Sequence, residues 1–241
     1  MSGRRRAPRE PRRRGRVWVV VGALALVLAV CAAAAFALRT GRSRPEASGR
    51  DGAGVQSSPM SAQTGNERDI VPDACQTLTA SIADSLAPGA ERTAMNQAAQ
   101  SDQHSECAWS RYGSTRTRQL TVELRALSSQ GGVSATRVAT RTFGDEWQAD
   151  REGRDLADSA TVRDSRGVSG VGEQAYVIYT VDTKSEIGEA VANARLANVL
   201  VTVHYSGGDF EDTDSPLSNA AATNGALSAA RDIISKLESH S

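Results

Sequence analysis

Three histidines, a serine set among glycines, an acidic run and a pair of cysteines are the residues of this 241-residue chain whose types could do chemistry. His104, His204 and His240 are the only imidazoles, and none stands in an H-E-x-x-H or H-x-x-x-H spacing that would converge on zinc. His204 lies in the β-branched run Val199 to Tyr205, in step with Thr202 and opposite Val203, and reads as a strand-face histidine ahead of a general base. Ser169 lacks the glycine two positions later that a nucleophile elbow requires, and no S-x-x-K of a penicillin-binding enzyme occurs. Gly167, Gly170 and Gly172 complete neither a G-x-G-x-x-G nor a P-loop pattern, so they read as a turn. Asp209, Glu211, Asp212 and Asp214 offer hard oxygens suited to Ca²⁺, but without EF-hand spacing they read as a solvated loop. Carboxylate pairs for sugar hydrolysis are made in space, and nothing in the order of residues proposes one. The expectation is a chain without catalytic, cofactor-binding or metal-ligating residues, and without a cofactor.

The elements that would position these residues follow from periodicity. Pro72-Asp73 opens a helix carrying Leu78, Ile82, Ser85 and Leu86, which Pro88-Gly89 ends. Cys107-Ala108-Trp109 starts an extended run, and Leu120, Val122 and Leu124 alternate with Thr121, Glu123 and Arg125 as a half-buried strand does. After Gly131-Gly132, Ala135, Ala139, Phe143 and Trp147 recur four apart on one face of a second helix. Strand signals resume at Thr161. Ala175, Val177, Tyr179 and Val181 share one face, with Tyr176 and Ile178 on the other, so this strand should be covered on both sides. Val199 to Tyr205 is the next strand, and Leu217 to Leu237 is a closing helix. The order α-ββ-α-βββ-α predicts an α+β fold, an antiparallel sheet covered by helices, over residues 70–238.

What precedes that domain sets its address. Residues 1–16 hold eight arginines against Glu10, and residues 17–38 carry no charge. Twenty-two helical residues span about 33 Å, enough to cross a bilayer core of about 30 Å. The arginine bias keeps the head cytoplasmic and the C-terminal domain outside. Ala35-Phe36-Ala37 offers a signal-peptidase site, and cleavage after Ala37 would release the domain; the length of the apolar run favours an uncleaved signal anchor. Leu28-Ala29-Val30-Cys31 departs from a lipobox at Val30, so Cys31 reads as a buried small hydrophobe. Residues 39–69, rich in Gly, Ser, Pro, Gln and Arg, read as a flexible linker. In an oxidising compartment Cys75 and Cys107 form one disulfide, stabilising the fold by roughly 3–4 kcal/mol. From Arg68 onward sixteen basic residues face twenty-four acidic ones, which argues against nucleic acid as a partner.

Together, the cysteine-bearing first helix, the Cys107-x-Trp109 strand, the turn Val168-Ser169-Gly170-Val171-Gly172-Glu173-Gln174-Ala175 and the strand Asn198-Val199-Leu200-Val201-Thr202-Val203 resemble a family of actinobacterial extracytoplasmic domains of unknown function. That family occurs on lipoproteins and single-pass membrane proteins, and is similar to the extracellular sensor domains of actinobacterial Ser/Thr kinases. The resemblance implies an envelope domain with a binding or accessory role and carries over no catalytic residue. The expected function is a non-catalytic, membrane-anchored module that binds an envelope protein, a lipid or a small ligand. The alternative is an envelope hydrolase with an unrecognised site built on Ser169, His204 and the acidic loop.

Overall fold

A helix of four residues opens the folded region of the computed structural model, which describes residues 66–95, 103–211 and 214–239. The basic head, the predicted transmembrane segment, the candidate cleavage site and most of the linker lie outside the described residues. Among those described, no helix is long and apolar enough to cross a membrane. All the elements below belong to one unit, Ser57–Ser241.

The first predicted helix is two. Asp73 caps α1 (Ala74–Thr77), its carboxylate accepting from the Cys75 amide at 2.8 Å. The chain is extended at Leu78 and Thr79 before α2 (Ala80–Leu86). The cause of the break is tertiary: the Thr79 amide and hydroxyl donate to the two oxygens of Asp232, each at 2.8 Å. Cys75 and Cys107 are joined in a disulfide that ties α1 to the sheet.

Strands β1 (Glu91–Ala94), β2 (His104–Tyr112) and β3 (Arg116–Ala126) form an antiparallel meander. Helix α3 (Ala135–Glu152) follows, capped by Ser134. A second meander, β4 (Ala160–Val168), β5 (Gln174–Asp182), β6 (Ile187–Leu196) and β7 (Val199–Asp209), is joined to the first where β7 pairs with β3. The sheet order is β1-β2-β3-β7-β6-β5-β4, with a short β8 (Ser215–Pro216) on β7. Helix α4 (Asn219–Ser239) closes the chain. The α+β architecture with an antiparallel sheet is therefore as the periodicity predicts, but the first meander has three strands where the pattern showed two, and the second four where it showed three. Strand β6 was hidden by Gly188, Ala190, Ala192 and Ala194, residues of low strand propensity.

The sheet buries both faces unequally. On one, Leu120, Val122, Leu124, Val177, Val201 and Val203 pack with Ile233 and Leu237 of α4 in the main core. On the other, Ala139, Phe143 and Trp147 of α3 pack on Tyr176, Ile178, Val191 and Leu200 in a smaller cluster. Strand β5 is covered on both sides, as its two apolar faces predict. The linker boundary moves slightly: Glu67 accepts from the Thr136 amide at the start of α3, and the Arg68 amide donates to Asn198, both at 2.8 Å.

Candidate functional site

On the α3 side of the sheet the polar positions of β3, β5, β6 and β7 fall in register. Glu123 lies across from Thr202, Thr202 across from Asn193, and Asn193 across from Tyr176. Helix α3 presents Glu146 and Asp150, four apart and so on one face, to this row. Between the second half of α3, residues 153–156 and the sheet lies a groove of about 330 Å³, with these carboxylates in its walls and Ile178 and Val191 among its apolar lining.

Asp150 is held there by buried polar residues. The Tyr176 hydroxyl donates to Asp150 Oδ2 at 2.6 Å, Asn193 Nδ2 donates to the Tyr176 oxygen at 2.6 Å, and the Thr202 hydroxyl donates to Asn193 Oδ1 at 2.5 Å. Asn193 also reaches Asp150 directly at 3.3 Å. Tyr176 is fixed by a parallel stack on Trp147, centroids 5.5 Å apart, and an edge contact from Phe143 at 5.1 Å. Burial, then the hydrogen bond to Asp150, pushes the Tyr176 hydroxyl far above the usual tyrosine range, so it remains a donor.

His204 lies in the same groove, its Nδ1 2.9 Å from Glu189 Oε1 on β6. Burial alone would lower its pKa; the hydrogen bond to Glu189 and the charges of Glu189, Glu123 and Asp150 outweigh this and raise it. A second pair, His104 with Glu123 at 2.9 Å, stands on β2 and β3. Glu123 and Glu146 also flank Arg125, at 3.4 and 2.8 Å. Burial opposes the Arg125 charge, and the two carboxylates overcome it and hold its pKa above the usual value.

The other residues singled out in the sequence fall elsewhere. Ser169 is exposed in the turn between β4 and β5, where Gly170 and Gly172 adopt positive φ, and it is not among the residues lining the groove with His204. Among the described residues of the acidic run, Asp209 pairs with Arg116 at 2.8 Å and Arg118 at 3.0 Å, and Glu211 and Asp214 are exposed. Partial burial would raise the Asp209 pKa, and the two guanidinium groups lower it. Asp212 and His240 lie outside the described residues. Among the described residues no three His, Cys, Asp or Glu side chains converge to hold a metal. The pairing expected of Cys75 and Cys107 is present, with Cα atoms 5.0 Å apart.

Sequence reasoning missed Glu146, Asp150, Tyr176, Glu189, Asn193 and Thr202 as a group. The i, i+4 spacing of Glu146 and Asp150, beside the apolar stripe through Phe143 and Trp147, was available as a signal. The Asn193 side of the site was not, because it depends on strand β6. No protein-family model, curated protein or solved structure matches the chain.

Proposed function

We propose that this chain is a single-pass, membrane-anchored extracytoplasmic protein of the bacterial cell envelope whose α+β domain binds a ligand or partner without turnover. The observation that carries the reading is the groove under α3, where Thr202, Asn193 and Tyr176 are buried and committed to orienting one carboxylate. Buried polar groups cost free energy unless satisfied, and apolar residues of similar size would stabilise the sheet at least as well. A shaped cavity with a few oriented polar groups is the usual form of a small-ligand site. The uncharged run at residues 17–38, the arginine head and the disulfide support the location outside the membrane.

The test is a titration of full-length protein in mild detergent with a soluble envelope extract, followed by NMR. Saturable shifts at groove residues are expected, with their loss in Asp155→Trp, which sets an indole at the groove mouth from an exposed position. Shifts that Asp155→Trp leaves intact would place binding elsewhere. For topology, protease added to intact cells should digest the domain; a protected domain would overturn the orientation.

The His204 and Glu189 pair favours a second reading, an envelope hydrolase with an oriented imidazole as general base. Against it, no Ser or Cys is among the groove-lining residues. Turnover of an envelope substrate that disappears in His204→Ala, with the melting temperature unchanged, would establish this reading over the first.

A further inference from the structure

The hydrogen bonds beneath the groove run in one direction. Thr202 donates to Asn193, Asn193 donates to Tyr176, and Tyr176 donates to Asp150, so each middle member both accepts and donates and the series ends on one carboxylate oxygen. Such chains reinforce each member by polarisation. Tyr176, Asn193 and Thr202 are all buried, and the two aromatic contacts fix the Tyr176 ring. The other oxygen, Asp150 Oδ1, has no partner among the described residues. Glu146 and Glu189 each likewise use one oxygen, toward Arg125 and His204. Both guanidinium groups in the lining are engaged, Arg125 by Glu123 and Glu146 and Arg154 by Glu152.

We propose that Asp150 is the recognition carboxylate of this groove and that its ligand is an alkylammonium group on a short linear stem. The ammonium donates to Asp150, in a lining whose carboxylates, Glu123, Glu146, Asp155 and Glu189 with Asp150, outnumber its cationic groups, and the stem lies along Ile178 and Val191. Tyr176, Asn193 and Thr202 are positioning residues. An anion would face excess negative charge, and a bare metal would find no three convergent His, Cys, Asp or Glu ligands among the described residues. The inference rests on the binding function proposed for the same groove.

The experiment is calorimetric titration of the full-length protein with cadaverine, with pentanediol and glutarate as neutral and anionic analogues of the same length. Nα-acetyl-lysine amide presents the same ammonium on a peptide; binding of either amine supports the class, and the tighter one identifies the source. Saturable amine binding is expected, weaker by roughly tenfold or more in Asp150→Asn, since a charge-assisted bond becomes a neutral one. Tyr176→Phe should weaken it by less while keeping the preference for amine over diol, which simple loss of folding would not do. Equal binding of cadaverine by a folded Asp150→Asn protein, or binding of glutarate or pentanediol as tight as the amine, overturns the proposal. If no amine binds while envelope extract still gives shifts that Asp155→Trp abolishes, the ammonium class fails and the groove-binding reading stands; if neither binds, both fall.

Discussion

His204 is held between opposed influences. Partial burial disfavours its cation, and Glu189 at 2.9 Å favours it, with the net result a raised pKa. A histidine of this kind contributes stability that is fully present below its unfolded pKa of about 6.5 and is lost as pH rises through the higher folded value. With 44% of its side chain exposed, solvent screening keeps that contribution small. Glu189→Gln should therefore lower the His204 pKa, read by NMR titration of its ring protons; an unchanged midpoint would show that Glu189 is not the dominant partner. Tyr176→Phe leaves the Asn193 NH2 group with only its longer contact to Asp150, the bond from Thr202 to Asn193 Oδ1 remaining, and should cost about 1–3 kcal/mol in urea unfolding. Tyr112→Phe removes only an exposed bond to Gln119 and should cost almost nothing. Periodicity placed His204 on its strand face beside Thr202 correctly. It could not see Glu189, because the partner lies on a strand the pattern did not show.

Helix α4 and strand β6 explain each other at the scale of elements. The small residues Ala190, Ala192 and Ala194 face Ala222, Ala226, Ala229 and Ala230, so helix and sheet approach closely. This is why β6 carries so little strand signal: its residues are chosen for the gap, not for intrinsic preference. The α3 stripe, by contrast, was legible because Ala139, Phe143 and Trp147 bury one face of an otherwise polar helix. The closeness of α4 also reverses an ordinary expectation. Replacing glycine by alanine inside a helix gains about 1 kcal/mol from propensity. At Gly225 the added Cβ would stand 2.5 Å from the Tyr205 ring, whose hydroxyl is bonded to Leu86. Gly225→Ala should therefore destabilise the domain by about 1–3 kcal/mol, while Gly144→Ala on α3, with nothing within 4 Å, should stabilise it by up to about 1 kcal/mol. Paired thermal melts would check both signs.

For the molecule as a whole, the disulfide fastens the short first helix to strand β2 across 32 positions. Reduction, or Cys75→Ala with Cys107→Ala, should lower stability by roughly 3–4 kcal/mol, measured as a shifted denaturant midpoint. Fold class and disulfide were legible because both rest on residue type and period. The groove was not, since it joins residues from α3 and four strands whose order in the sheet, with β3 beside β7, no local pattern announces. Two further contacts bear on how the chain could be rewired. The Arg68 guanidinium donates to the Leu237 carbonyl at 2.5 Å, and the Lys236 ammonium donates to the Thr77 carbonyl at 2.6 Å, so entry and exit of the domain meet at one pole. A circular permutant joining Ser239 to Asn66 by a few residues, and opened at the exposed Gly131-Gly132 turn, keeps the pairings among β1 to β8, gives up only the Gln130–Val133 bridge that closes that turn, and should melt cooperatively near the parent temperature. The same adjacency makes the domain a cassette that can be spliced into a surface loop of a host protein without prising the host's ends apart.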